Sequence, residues 1–456
     1  MTKQAIVVGG GPVGCVLSVL LARRGWQVEV YERRPDLRLA EHAAGRSINL
    51  VLTARGLRAL EILGLKDQVL EITVPVYGRM MHALDGALAY QPYGKDDRER
   101  NYSVSRGDLN RYLLDVAEKS GVKVHFEQVA SEVDVRAGRL VVTGPDGAAR
   151  TLETPHLFGA DGAPSAVRGG MQAVEGFRES LDMLPDGYKE LLFPETPEGN
   201  YCMEVRALHI WPRGRHFLMG LPNQGGSFTG TLYLPLEGEE SFATLTHPEA
   251  VRAFFGRHYP DAVPLLGDYV EAFLESPTGH LGTVRCAPWH VGERTLLVGD
   301  ASHGIVPFFG QGLNSGFEDC AVLHGLLEAE TPLAELFATF SQRRKPNTDA
   351  IADMALENYV EMRDKVGDPR FLLRKQVESR LERAYPELFR SRYAMVVYSS
   401  IPYAQAQAAG RIHDEILGEL CAGIERAEDA DLERGRELID AKLTPFHAAH
   451  GISLAF

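Results

Sequence analysis

The fold class predicted is α/β in three parts: a parallel-sheet nucleotide-binding domain, an inserted domain that is mostly β-sheet, and a C-terminal helical region. Three observations predict it. Residues 5–32 read AIVVGGGPVGCVLSVLLARRGWQVEVYE, which is an apolar run, a glycine turn, a helical pattern and a second apolar run. From Gln172 to about His290 helical periodicity fades and strand signals dominate. After Thr331 the pattern is mostly helical, with glycine and proline sparse until Gly367.

In Gly9-x-Gly11-x-x-Gly14 one glycine allows the turn, one lets backbone approach a pyrophosphate, and one lets the helix pack on the strand. The helix that starts there points free N–H groups and a positive dipole end at phosphates. Glu32 stands eighteen residues beyond Gly14, where a carboxylate accepts two hydrogen bonds from an adenosine ribose. Strand, helix and acid in register make this a Rossmann-like dinucleotide site rather than a glycine-rich turn of another α/β unit.

Length and composition bound the rest. A chain of 456 residues, 45% hydrophobic and 24% charged, holds two or three soluble domains with ample core. The net charge of −14 argues against nucleic acid or an anionic membrane as main partner. The five cysteines, Cys15, Cys202, Cys286, Cys320 and Cys421, are scattered without metal-ligand spacing, so no metal is expected and most read as small buried hydrophobes in a reducing compartment. The first strand begins too early for a signal peptide, and no apolar run approaches the ~20 residues of a membrane span. The expected setting is therefore cytoplasmic.

After Glu32 comes Arg33-Arg34-Pro35 and a polar loop holding Arg46, which is either a phosphate partner or a solvated loop arginine. Ala54 to Leu63 has helical spacing and stops at Gly64. Val74 to Leu84 reads as extended and carries Arg79 in apolar company, where a guanidinium needs an anion or an exposed tip. Tyr93 follows in a polar turn, and Arg106 opens an amphipathic helix ended by Gly121, with the strand VKVHFE after it. Two strand patterns in SEVDVRAGRLVVTGPDG lead to a short strand, His156 to Ala160, ending on Asp161-Gly162 with Ser165 and Arg168. That is where α/β sheets place ligands, although an ordinary strand-to-helix turn reads the same way.

The clearest hairpin joins Phe217–Pro222 to Ser227–Leu236. Thr229, Thr231 and Tyr233 share one face and Phe228, Leu232 and Leu234 the other, so one face packs on core while the other lines a cavity or meets solvent. Thr295 to Val298 then delivers Gly299-Asp300, and the loop Val306 to Asn314 opens a second N–H-rich helix start suited to an electron-rich ring edge. His303 reads as structural, since nothing nearby forms a triad or metal set. Met354, Asn358 and Met362 share one helix face, and a buried asparagine there needs a ligand or a neighbouring helix as partner.

The glycine turn with Glu32, Asp161-Gly162 with Ser165-x-x-Arg168, and Gly299-Asp300 with Gly310-Gln311-Gly312-Leu313-Asn314 together resemble the single-component flavoprotein aromatic hydroxylases. In that family one FAD domain does all the nucleotide binding and NADPH has no Rossmann unit of its own. Longer strings, GRSINL, YGRMMH, QPYG, YKEL at 188–191, LHIWPRG, FTGTLYLP, VPFFGQGLN, FEDC, LENYVEM and RYAM at 392–395, are similar to its kynurenine 3-monooxygenase branch.

The resemblance implies a Rossmann-like FAD-binding domain (1–74, 100–171 and 282–345), an inserted mostly β-sheet substrate domain (75–99 and 172–281) and a C-terminal helical region (346–456). FAD would be held by Gly9, Gly11, Gly14, Glu32, Arg33, Arg46, Arg106, Asp161, Asp300, Gly312, Leu313 and Asn314. The loop against the flavin would be Pro307, Phe308, Gly310, Gln311 and Gly312. Arg79, Tyr93, Asn358 and Tyr393 would hold the amino-acid end of L-kynurenine, and Leu221, Thr231, Tyr233, Phe309 and Met362 would surround its ring. Val51, Tyr233, Phe309 and Leu313 depart from residues common in bacterial relatives, although Phe309 matches the eukaryotic form.

The implied chemistry is reduction of FAD by NADPH, addition of O2 to give a C4a-hydroperoxide, and transfer of its distal oxygen to the carbon beside the aromatic amino group. No catalytic side chain is implied, because an aniline ring is already nucleophilic there. Other readings are hydroxylation of a related amino acid such as tryptophan, or an FAD protein that does not hydroxylate. Neither nucleic acid nor membrane is an expected partner, and the oligomeric state is open, a homodimer being one form.

Overall fold

Strand Gln4–Val8 is buried from Ala5 onward and pairs in parallel with Gln27–Tyr31, so the two apolar runs form the centre of one sheet. Between them helix Pro12–Ala22 starts with proline in its first turn, where a missing N–H goes unnoticed. The computed structural model describes residues 3–39, 49–365 and 368–454. The six-stranded sheet runs His290–Val291, Thr295–Leu297, Leu157–Gly159, Gln4–Val8, Gln27–Tyr31, Lys123–His125. All its pairings are parallel except that of His290–Val291. The core on this sheet includes Val7, Leu17, Phe158, Leu296 and Phe317. The strand–helix order around it places Glu32, Asp161 and Gly299 at neighbouring strand ends, where an open α/β sheet binds ligands.

The three-stranded antiparallel sheet Val129–Asp134, Arg139–Thr143, Ala149–Glu153 has one strand more than the turn pattern predicts. Another small sheet joins Asn49–Leu52 and Val74–Val76 to Asn101–Ser105.

The region 172–290 contributes most of a seven-stranded sheet in the order Gly279–Ala287, Arg178–Phe193, Phe228–Pro235, Phe217–Pro222, Ala207–Pro212, Gly78–His82, Leu88–Pro92. It also holds helices Pro248–His258 and Tyr269–Glu275, which the strand-dominated reading does not predict. Their apolar residues explain them: Val251, Phe254 and Phe255 recur at helical spacing and pack with Phe273 on Trp211, Phe228, Leu232 and Leu234 of the sheet.

The C-terminal part is helical as expected, with Leu333–Val360, Pro369–Ala384, Arg392–Val397 and Tyr403–Leu420 its main helices. No helix of the described residues is long and apolar enough to cross a membrane.

Candidate active site

The three glycines of the turn stand in different surroundings. A Cβ on Gly9, whose φ is +103°, would lie 2.4 Å from the Ala160 carbonyl oxygen, and one on Gly14 would lie 2.0 Å from the Gly9 carbonyl oxygen. Gly11 is different, because nothing stands within 4 Å of where its Cβ would project. A side chain there would fill the approach to the N-terminus of helix Pro12–Ala22, which has no side-chain cap. Glu32 closes the far edge, its carboxylate accepting the Gly10 N–H at 2.7 Å and the Arg34 N–H at 2.9 Å. Arg33, Arg34 and Arg106 are all exposed, and partial desolvation, followed by repulsion from Arg106 and Arg33, lowers the pKa of Arg34. Arg34, absent from the predicted set, thus belongs to a positive cluster beside this turn. Arg46 lies outside the described residues.

Asp161 is near but differently engaged. It accepts from the Ser165 hydroxyl at 2.6 Å and the Ala166 N–H at 2.7 Å, capping helix Ala166–Met171, while its backbone packs against Gly9. Arg168 bonds the carbonyls of Ala163 and Ala301, tying this turn to the next strand end. Asp300 is exposed and, among the described residues, has no side-chain partner, so its carboxylate is available to a ligand hydroxyl.

Helix Gly312–Glu328 has no side-chain cap either, and Gly310 before it adopts φ +65°. Leu313 is half-buried in its first turn. Asn314 shapes this loop from within: its Nδ2 donates to the carbonyls of Val51 at 2.7 Å and Gly310 at 2.9 Å, and its Oδ1 accepts the Thr53 N–H at 2.9 Å. Gln311 is likewise turned inward, its Oε1 accepting from the Tyr403 hydroxyl at 2.8 Å. Pro307 is exposed. Two uncapped helix starts, the open side of Gly11 and the free Asp300 carboxylate fit a pyrophosphate, a polyol chain and an electron-rich ring.

Beneath the loop lies a buried ionic network that sequence reading missed. Asp319 accepts the Gly299 N–H at 2.9 Å, faces His303 Nε2 at 2.6 Å and accepts from Arg344 Nε at 2.7 Å. Glu318 pairs with both Arg344 and Arg55, and Arg55 also bonds the carbonyls of Val396 and Ile401 and lies over the Tyr403 ring. His303 therefore has the structural role the sequence suggests.

Strand register gathers the other residue set on one sheet face. Arg79 pairs with Leu208, Leu221 with Thr229, Thr231 with both Glu190 and Met219, and Tyr233 with both Tyr188 and Phe217. Paired residues point the same way, so Arg79, Leu221, Thr231 and Tyr233 share this face with Glu190. Tyr233 stacks on Phe217 at 4.7 Å and meets Phe308 at 5.2 Å, and Phe308 meets Tyr359 at 4.8 Å. Phe309 and Met362 pack at the same cluster. Phe217, Tyr359 and Glu190 were not in the predicted set; the alternation of strand Phe217–Pro222 could have found Phe217.

The Arg79 guanidinium carbon lies 5.4 Å from the Tyr93 ring centre and 5.6 Å from that of Tyr393. These two rings stack at 5.7 Å, and Phe309 stacks on Tyr393 at 5.8 Å. Burial raises the pKa of both tyrosines, so both are neutral phenols at pH 7. Tyr393 receives the Asn101 amide at 3.0 Å. Asn358 Nδ2 donates to the Phe308 carbonyl at 2.5 Å and reaches Met362 Sδ at 3.9 Å. Arg79 Nε is buried with no hydrogen-bond partner, and no carboxylate among the described residues pairs with Arg79. A half-buried cation whose Nε is buried and unpartnered, beside neutral donors, calls for an anionic ligand group.

Residues 2–355 match the family model described as FAD binding domain. The chain is 50% identical over 446 residues to the kynurenine 3-monooxygenase of Myxococcus xanthus (strain DK1622), covering 97% of this chain and 96% of that protein. It is 43% identical over 449 residues to that of Xanthomonas oryzae pv. oryzae (strain PXO99A), covering 98% and 99%. Its fold is shared with 2-methyl-3-hydroxypyridine-5-carboxylic acid oxygenase, with TM-score 0.65, 22% identity, and coverage of 81% of this chain and 94% of that one. By nearly full-length identity, a matching family model and the two-sided site just described, the chain belongs to the kynurenine 3-monooxygenase family of FAD-dependent aromatic hydroxylases.

Proposed function

We propose that this chain hydroxylates L-kynurenine on the ring carbon beside the amino group, giving 3-hydroxykynurenine with consumption of NADPH and O2. The observation that carries the reading is Arg79, a half-buried guanidinium with an unpartnered buried Nε and no counter-ion, at one end of an aromatic-lined sheet face. The substrate α-carboxylate supplies the missing anion. Tyr93 and Tyr393 flank it as neutral donors, and Asn358, whose Nδ2 is engaged by Phe308, offers its Oδ1 to the α-ammonium. Leu221, Thr231, Tyr233, Phe309 and Met362 surround the ring.

The chemistry that FAD supplies when bound is activation of O2 after reduction by NADPH. Gly9, Gly11, Gly14, Glu32, Arg33 and Arg106 take its adenosine and pyrophosphate end, with Arg34 alongside. Asp300, Gly312 and Leu313 take the ribityl and ring end, while Asp161 and Asn314 hold the surrounding loops in shape. The chain's own task is to position the substrate and exclude water, and no side chain has to remove a proton to make the ring nucleophilic.

This reading divides the chain into a discontinuous FAD domain (1–74, 100–171, 282–345), a substrate domain (75–99, 172–281) and a helical cover (346–456). Five free cysteines support a reducing, cytoplasmic setting. The test is product identification by mass spectrometry after incubating the FAD-loaded chain with NADPH, O2 and kynurenine. The expected product is 3-hydroxykynurenine; NADPH oxidation without it, or hydroxylation of tryptophan instead, overturns the reading.

A further inference from the structure

We propose that His216, Glu240 and His258 form a binding site for a divalent late first-row metal ion of the zinc class, on the helix-covered side of the seven-stranded sheet. Their ligand atoms lie within 4.8 Å of one another. His258 Nε2 is 2.8 Å from Glu240 Oε1, whereas His216 Nε2 is 3.8 Å from Glu240 Oε2. The second distance is too long for a hydrogen bond, but two donors each about 2.0–2.2 Å from one ion stand about 3–4 Å apart. The imidazoles converge nearly perpendicular, with ring centres 4.7 Å apart.

Three different pieces of chain meet here. His216 precedes strand Phe217–Pro222, Glu240 follows strand Phe228–Pro235, and His258 is the last residue of helix Pro248–His258, where the helix dipole favours a cation. His216 Nδ1 is 2.6 Å from the buried Tyr259 hydroxyl, the outer contact that fixes a ligating imidazole and leaves Nε2 facing the ion.

Two arginines oppose a dication and both can be accommodated. Arg257, 3.3 Å from Glu240, has a largely exposed side chain that can swing into solvent, and Arg213 has Asp261 at 3.8 Å. Two nitrogens and one carboxylate suit Zn2+, Ni2+ or Co2+ rather than Mg2+ or Ca2+, and leave a fourth position for water. The ion would clamp the hairpin, the loop after it and the helix end together.

The experiment is equilibrium dialysis of the FAD-loaded, chelator-stripped chain against micromolar Zn2+ in millimolar Mg2+, read by elemental analysis and thermal midpoint. One Zn2+ per chain and a raised midpoint are expected for the wild type. His258→Ala and Glu240→Gln, both partly exposed and checked for folding by retained FAD, each weaken Zn2+ binding by at least about tenfold. No stoichiometric Zn2+ in the wild type, or unchanged affinity in either folded variant, overturns the site.

Discussion

At the scale of single residues, Arg79 and the glycine turn decide most. Charge-assisted hydrogen bonds contribute about 1.5–3 kcal/mol, so Arg79→Ala should weaken kynurenine binding by roughly ten- to more than a hundredfold while leaving FAD content unchanged, as titration of the bound flavin will show. Arg79→Lys should restore only part, because a point charge lacks the planar fork. Gly11 has open space around it, so Gly11→Val should fold with the thermal midpoint of the FAD-free wild type and yet fail to take up FAD. Retention of the yellow cofactor would show that the turn is not the pyrophosphate cradle. Arg79 was legible in the sequence because a guanidinium among methionines has no local partner. The inward engagement of Asp161 and Asn314 was not, because caps and loop bonds depend on turn geometry that glycine and proline spacing leaves undetermined.

At the scale of elements, helix Gly312–Glu328 is fastened from below by Glu318 and Asp319. Burial alone would raise both carboxyl pKa values, but His303 and Arg344 at Asp319, and Arg344 and Arg55 at Glu318, hold them below the ordinary range. A depressed folded-state pKa adds stability above the unfolded value and loses it as pH falls through the folded one. Denaturant unfolding should therefore give near-constant stability on this account from neutral pH to about pH 5 and a decline below about pH 4. Arg344→Met leaves buried charge uncompensated and should cost about 3–5 kcal/mol at pH 7, with a smaller acid-side decline because the folded carboxylates then take up protons. The helix itself was evident from its glycine start, but its network was not, since Arg55 and Arg344 stand far from it in sequence. The helices Pro248–His258 and Tyr269–Glu275 were hidden by surrounding strand signals, although Val251, Phe254 and Phe255 carry the helical period.

At the scale of the whole molecule, the seven-stranded sheet has helices packed on one face and the aromatic set on the other, with C-terminal helices bringing Tyr393 and Asn358 to that second face. The unlike faces of the hairpin were readable from alternation. Alternation did not show which strands extend that face, because the parallel pairing of Gly78–His82 with Ala207–Pro212 joins distant segments; only the family resemblance put 75–99 with 172–281. If the helices exclude water, Tyr393→Ala should raise the hydrogen peroxide released per NADPH oxidised, measured by a peroxidase-coupled assay. An unchanged ratio would place the water barrier elsewhere.

The most direct test of the central claim, that an amino-acid clamp on Arg79 selects kynurenine for ring hydroxylation, compares kynurenine with its decarboxylated analogue in the wild type, following hydroxylated product per unit time. The account predicts rapid hydroxylation of kynurenine and little of the analogue, a preference that collapses in Arg79→Ala. Equal hydroxylation of both by the wild type would contradict it.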